Sequence, residues 1–105
     1  MPYKLVYLSS ASDELCLIDN YLAEEISEQV ADKFVSSVQA AIASLDHLPK
    51  RHPRYSPMPV YHFLPTVYDY IIFYIVNDEK KEVQIHHILH GHRNIVKFLQ
   101  NEKDG

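Results

Sequence analysis

Seven histidines are the residues whose number and spacing first suggest chemistry, and four of them lie close together, at His86, His87, His90 and His92. A zinc site is one use for such a cluster, because two histidines four residues apart converge on one ion when a helix carries them. On a strand, four residues span about 13 Å, which is too far for ligands that lie about 2 Å from a shared ion. The alternating pattern here indicates a strand, so we expect no metal and no other cofactor.

The same histidines, with the arginines, supply the groups needed for acid–base cleavage of RNA. A metal-free ribonuclease needs a base for the 2′-hydroxyl, an acid for the leaving oxygen and cations for the phosphate. His87 or His90 can fill the acid–base roles. Three arginines can hold the phosphate: Arg51, Arg54 and Arg93. Nothing in their spacing shows that these residues converge, so surface histidines and a solvated loop stay open as the alternative.

Charge is distributed unevenly along the chain, although the net charge is −4. Residues 1–46 carry two basic and eight acidic side chains, whereas residues 47–105 carry eight basic and six acidic ones. The densest basic segment is Lys50, Arg51 and Arg54, and no acidic residue occurs between positions 47 and 63. This is a modest patch for a nucleic-acid-binding protein, and a solvated loop accounts for it equally well.

Hydrophobic periodicity predicts a strand and two helices in the first half. Tyr3–Leu8 is rich in β-branched and aromatic residues, which favours a strand. Apolar residues recur every three or four positions over 11–24 and again over 28–46, which predicts two amphipathic helices. Ser27 is a candidate N-cap for the second helix. The short joint between the helices predicts a helical hairpin.

The second half predicts three strands and a closing helix. Four prolines between positions 49 and 59 indicate a loop, and strands are predicted at 60–64, 68–76 and 83–89. Val83, Ile85, His87 and Leu89 alternate, so we expect them to share one face of the last strand. Short links between the strands favour an antiparallel meander, and a short helix follows near Ile95.

The predicted fold class is α+β, with the helical hairpin packed on one face of a mainly antiparallel sheet in the order β-α-α-β-β-β, followed by a short C-terminal helix. A chain of 105 residues favours a single domain over residues 1–105. The single cysteine, Cys16, points to a reducing compartment, and no apolar run reaches the roughly 18 residues of a membrane span. We therefore expect a cytoplasmic protein without a membrane partner, whose function lies on an open face or in a groove.

Two segments resemble a known family. The segment Ile88–Ile95, with the sequence ILHGHRNI, resembles the C-terminal signature of ParE-type toxins in the RelE/ParE superfamily. The segments Tyr61–Thr66 and Tyr70–Tyr74 resemble the middle strands of that family. The order of the elements agrees as well, so the resemblance covers nearly the whole chain.

The resemblance implies the toxin of a type II toxin–antitoxin module, held inactive in a toxin–antitoxin hetero-oligomer by a cognate antitoxin. RelE-like members of the superfamily cut mRNA in the ribosome with basic and acid–base residues. ParE-like members instead block DNA gyrase and have no known hydrolytic site. We also keep a third class open, a divergent binding module that is not toxic, because a fold does not fix a function.

Two positions favour the gyrase inhibitor over the nuclease. Ribosome-dependent members usually carry an arginine where this chain has Ile71, and often another where it has His87. Losing two cations weakens the hold on a phosphate in the transition state. The RelE-like endoribonuclease, which would contact the ribosome and mRNA, stays the alternative, with His87, His90 and Arg93 as its catalytic residues. The residues expected to contact the target protein or nucleic acid are Arg51, Arg54 and Arg93.

For the antitoxin we expect a binding surface on the acidic first half of the chain, in a groove beside the helical hairpin. Its segment would carry apolar anchors and some basic residues and would bury more than about 1,000 Å² in total. Alternatively, the apolar stripes of the hairpin are used up entirely by the core of the toxin itself.

Overall fold

The computed structural model describes the backbone of residues 2–104 and the side chains of residues 2–101. The strands in this part of the chain are β1 (Lys4–Tyr7), β2 (His62–Pro65), β3 (Tyr70–Asn77) and β4 (Glu82–His90). The helices are α1 (Ser9–Glu25), α2 (Glu28–Ala43) and α3 (Ile95–Asp104), and 3₁₀ turns occur at Ser44–Asp46, Pro49–Arg51 and Val67–Asp69. The predicted order of elements is confirmed. Within residues 2–104, no helix is both long enough and apolar enough to cross a membrane.

The strands form one sheet in the order β1-β4-β3-β2. Strand β3 runs antiparallel to both of its neighbours, whereas β1 pairs with β4 in parallel. Parallel strands require a long crossover, and here the chain passes through the helical hairpin and two further strands before β4 returns beside β1. The mainly antiparallel sheet of an α+β protein is thus confirmed.

The helical hairpin forms where the sequence predicts it. The Ser27 hydroxyl oxygen accepts the N–H of Val30 (3.1 Å) and so satisfies one of the free donors at the start of α2. Behind this cap, Phe34, Val38 and Ile42 recur every four residues and are at most 1% exposed. They belong to the core between the hairpin and one face of the sheet, and this packing holds α2 against the sheet.

Strand β4 contains a β-bulge. Its register with β3 passes from the pair Phe73–His87 to the pair Tyr74–Ile85, so His86 has no partner residue in the ladder. An extra residue of this kind shifts every later side chain to the opposite face.

The bulge divides the side chains of β4 between two cores. Val83 and Ile85 face the helical hairpin, whereas Leu89 packs on the other face of the sheet, against α3. The ring of His87 contacts Phe98 of α3, with the ring centroids 5.2 Å apart. The prediction that Val83, Ile85, His87 and Leu89 share one face is therefore wrong, because the bulge interrupts the period of two.

Candidate functional site

Side chains of α1 complete the outer edge of β4. Strand β1 ends opposite Ile85, and α1 covers the edge beyond that point. The Ser10 hydroxyl donates to the carbonyl oxygen of His86 (2.7 Å), and Glu14 Oε1 accepts the N–H of Ile88 (2.9 Å). These bonds satisfy backbone groups that a sheet edge would otherwise leave free, and they bring a carboxylate to the C-terminal half of β4.

Glu14 also bonds the histidine that the sequence proposes as a catalytic base. Its Oε2 atom lies 2.9 Å from Nδ1 of His87, whose residue exposure is only 3%. A carboxylate can only accept a hydrogen bond, so Nδ1 carries the proton, and in the neutral ring Nε2 is the basic nitrogen. The structure thus orients the imidazole as acid–base chemistry requires, but it also buries it.

The other two catalytic candidates line a groove next to this pair. Glu14, Tyr70, His90 and Arg93 are among the residues around a cavity of about 170 Å³, which we call the Glu14 groove. The edge of the Tyr70 ring contacts the His90 ring at a centroid distance of 5.0 Å. The structure therefore places His90 and Arg93 in one groove with Glu14, whose carboxylate bonds His87.

The sequence analysis missed Glu14. It is one of several acidic residues on the first helix, and nothing in its local sequence distinguishes it from Asp13 or Asp19. Its partners are 73 and 74 positions away.

Arg93 is held against α3. Its guanidinium carbon lies 4.1 Å from the centroid of the Phe98 ring, a cation–π contact. Its backbone N–H donates to the carbonyl oxygen of His90 (3.0 Å) in the turn after β4. The turn thereby fixes the spacing between the His90 imidazole and this cation.

Arg51 and Arg54 bond to the backbone around them. The Arg51 guanidinium donates to the carbonyl oxygens of Ser44, His47 and Leu48. Arg54 donates to the carbonyl oxygen of Pro59 (2.8 Å). Both arginines therefore brace the loop that the prolines were predicted to form, and their side-chain directions are fixed by neutral acceptors.

The basic loop and the Glu14 groove lie at different ends of the sheet. Lys50 forms an ion pair with Asp78 in the turn that precedes β4, whereas His90 and Arg93 lie at the opposite end of that strand. Nine residues of strand span on the order of 25 Å. Arg51, next to Lys50, is thus not brought to the histidines of the Glu14 groove.

The turn after β4 brings two of the late histidines together. The chain turns at Gly91, and the rings of His90 and His92 approach to a centroid distance of 5.1 Å. Nε2 of His92 lies 3.9 Å from a carboxylate oxygen of Asp69. Among the residues that the structure describes, no three His, Cys, Asp or Glu side chains are grouped so that they could hold a metal ion.

A larger groove runs beside the end of the helical hairpin. This hairpin groove has a volume of about 580 Å³ and is lined by Tyr21, Leu22, Ile26, Val30, Tyr68, Tyr70 and His90. Leu22 is buried in the core, but Tyr21 is 57% and Ile26 is 62% exposed. The apolar residues of the hairpin are thus only partly used by the core.

One wall of the hairpin groove has a strained backbone. Tyr68 and Asp69 both have left-handed conformations, with φ angles of 59° and 64°. The N–H of Gly91 donates to the carbonyl oxygen of Asp69 (2.7 Å) and holds this bend in place. Strain of this kind persists only where the surrounding structure fixes it.

Solved structures with a similar fold come from bacterial toxin–antitoxin systems. The chromosomal ParDE system of P. aeruginosa includes a chain with a TM-score of 0.73 and 21% identity, with 84% of this chain and 95% of that chain covered. The RelBE2 complex of Mycobacterium tuberculosis gives a TM-score of 0.57 and 18% identity, covering 86% and 92%. A mutant of E. coli toxin RelE in the free state gives 0.66 and 16% identity, covering 98% of each chain.

The fold is thus that of RelE/ParE toxins. The family described as "ParE toxin of type II toxin-antitoxin system, parDE" matches residues 5–95, and the chain belongs to this family. It is therefore a toxin of the type II toxin–antitoxin class, and the resemblance noted in the sequence is confirmed. No curated protein sequence matches the chain significantly.

Proposed function

We propose that this ParE-family toxin stops bacterial growth by binding DNA gyrase in the cytoplasm, and that a cognate antitoxin neutralises it in a hetero-oligomeric complex. The observation that carries this proposal is the family match over residues 5–95. The likeness to a chain of a ParDE system supports the same choice.

The surroundings of the arginines favour protein contact over RNA cleavage. Ile71 pairs with Leu89 inside the sheet, and the neighbouring candidate His87 is buried, so neither position offers a free cation to a phosphate. Arg51 and Arg54 donate to carbonyl oxygens of their own loop. A phosphoryl transition state needs several cations directed at one point, and these side chains are not so directed.

The direct test is a supercoiling assay with purified gyrase and purified toxin. We expect the toxin to inhibit supercoiling, and we expect the same amount of toxin in complex with its antitoxin to have no effect. Supercoiling that continues unchanged at a large excess of free toxin contradicts the gyrase proposal.

The hairpin groove supports the antitoxin part of the proposal. Tyr21 and Ile26 are exposed apolar residues at this groove, and no basic residue occurs between Lys4 and Lys33. An antitoxin segment with apolar anchors and basic neighbours complements such a surface.

We expect Tyr21→Ala and Ile26→Ala each to weaken antitoxin binding roughly tenfold, as measured by calorimetry. The exposed Val60 lies elsewhere, and Val60→Ala is the control; equal affinities for all three variants would rule this surface out.

An endoribonuclease is the second candidate, because one observation favours it. Glu14 orients His87 by a 2.9 Å hydrogen bond, and His90 and Arg93 line the same groove. In this function His87 or His90 would exchange the proton and Arg93 would hold the phosphate. Primer extension on mRNA after induction tests it, since cleavage should produce discrete cuts that disappear with His90→Ala and Arg93→Ala but persist with His92→Ala.

A further inference from the structure

The most exposed large apolar residue that the structure describes has an unfavourable backbone conformation. Leu48 is 77% exposed, and its φ and ψ angles of 48° and 53° are left-handed. This conformation is unfavourable for a residue with a Cβ atom. Since the Leu48 side chain is largely exposed, its burial contributes almost nothing to the stability of the core. Packing therefore does not account for a leucine at this position.

Hydrogen bonds on both sides hold Leu48 where it is. The Arg51 guanidinium donates to the carbonyl oxygens of His47 and Leu48. The hydroxyl group of the buried Tyr74 donates to the carbonyl oxygen of Pro49 (2.6 Å). A residue whose backbone is already fixed in this way loses little further backbone freedom when a partner covers its side chain, as is expected of a residue that anchors an interface.

Leu48 borders a cleft with a basic rim. The Leu48 cleft has a volume of about 460 Å³ and is lined by Tyr3, His47, Leu48, Pro49, Lys50 and Arg51. Of the two cations in the cleft, Lys50 is paired with Asp78, whereas Arg51 donates to neutral carbonyl oxygens, and no carboxylate among the described side chains lies within ion-pair distance of Arg51. The positive charge of Arg51 is therefore fixed in direction and not compensated, in a protein whose net charge is −4.

We propose that the Leu48 cleft is the surface with which the toxin binds its target protein, and that the target offers an apolar pocket for Leu48 ringed by acidic side chains. This inference rests on the proposed function and names the surface and the chemistry of that contact. Charge complementarity with the rim calls for an acidic partner surface. The exposed leucine favours a protein over a nucleic acid, because an apolar side chain gains free energy in an apolar pocket, whereas binding to a nucleic acid depends mainly on its phosphates.

The Leu48 cleft is separate from the hairpin groove. Tyr3 in the cleft donates to Asp78 (2.8 Å) in the turn before β4, whereas His90 in the hairpin groove lies at the other end of that strand. The separation is on the order of 25 Å. Substitutions in the cleft should therefore act on the target without changing the affinity for the antitoxin.

The experiment compares Leu48→Asn with wild type. Asparagine tolerates the left-handed conformation, so the variant keeps the backbone and removes the apolar side chain. Val60→Asn is the matched control, since Val60 is 53% exposed in the same loop and does not line the cleft. The measurements are affinity for purified gyrase, growth arrest on induction, and affinity for the antitoxin.

We expect Leu48→Asn to weaken gyrase binding about 10- to 100-fold, the effect of losing one buried leucine, and to relieve growth arrest. Val60→Asn should match wild type, and antitoxin affinity should be unchanged in both.

Full arrest by Leu48→Asn overturns the inference and leaves the gyrase proposal standing. If the wild-type toxin arrests growth without binding gyrase, and Leu48→Asn relieves that arrest, the gyrase proposal is overturned but the protein-binding cleft is not. If the toxin binds a mixed-sequence RNA oligonucleotide and Leu48→Asn weakens that binding, the assignment of the cleft to a protein partner is overturned. If the wild-type toxin neither arrests growth nor binds gyrase, the gyrase proposal and the cleft proposal are both overturned.

Discussion

Glu14 and His87 lie 73 positions apart in the sequence and are joined by a hydrogen bond of 2.9 Å between Oε2 and Nδ1. The second carboxylate oxygen accepts the N–H of Ile88. One side chain of the first helix thus serves both a buried imidazole and a backbone group at the edge of the sheet. This contact links the helical hairpin to the strand from which the Glu14 groove is built.

We expect Glu14→Ala to lower the free energy of unfolding by about 2–4 kcal/mol, because it leaves a buried imidazole and a strand N–H without an acceptor. Asp13→Ala is the matched control, since Asp13 is an exposed acid on the same helix, and it should change the stability by less than about 0.5 kcal/mol. Urea denaturation of both variants measures these changes in the free energy of unfolding. Equal stabilities would show that the Glu14 contacts contribute nothing net.

Tyr74→Phe tests the hydrogen bond that fixes the loop beside Leu48. Tyr74 is fully buried, and burial raises the pKa of its hydroxyl to about 12. The hydroxyl therefore stays a donor to Pro49 up to about pH 11. The variant leaves a carbonyl oxygen unpaired, so we expect a loss of about 1–2 kcal/mol in thermal or urea unfolding. Tyr21→Phe, at an exposed position, should have no effect, and a stable Tyr74→Phe variant would contradict the role of this bond.

The backbone at Leu48 makes an unusual prediction about stability. Leu48→Asn should raise the free energy of unfolding by about 0.5–1 kcal/mol, because asparagine is less strained in the left-handed region. The same substitution at Leu17, which is 68% exposed on α1, should lower stability by a few tenths of a kcal/mol, because asparagine is a poorer helix former. Because the two leucines are similarly exposed, stability changes of opposite sign would identify the backbone conformation at Leu48 as the cause. Thermal unfolding of the two variants measures both stability changes. A loss of stability at both positions would contradict backbone strain at Leu48.

Two histidines should make the protein less stable in mild acid. Burial, followed by the charge of His87, lowers the pKa of His86. Burial, followed by Arg51 and His62, lowers the pKa of His52, whose buried Nε2 has no hydrogen-bond partner among the described residues. The folded protein then binds fewer protons than the unfolded chain, so stability is complete above about pH 6.5 and falls as the pH drops below that value.

Denaturation curves between pH 7.5 and pH 5 check this pH dependence. We expect His86→Gln and His52→Gln each to lose less stability over this range than wild type does, and the double variant to lose least. Carboxylates also titrate at the acid end, so the comparison is between the slopes of the proteins. Identical slopes for all four proteins would contradict the assignment.

The sequence by itself determined the elements, their order and the family. Apolar spacing set both helices of the hairpin, Ser27 marked the start of the second, and the prolines marked the loop, because these signals depend on residues close in the chain. The segment from Ile88 to Ile95 was enough to suggest the family. It also provided the candidates His87, His90 and Arg93, although not their surroundings.

Only the tertiary structure decided which residues meet. The bulge at His86 depends on register with β3, and it moved His87 and Leu89 to the face opposite Val83. Glu14 reaches His87 because the hairpin lies over the edge of β4. The Glu14 contacts join positions 73 and 74 residues apart, and the bulge depends on the pairing between two strands. Both depend on how the elements pack against each other, which the spacing of residues within one element does not determine.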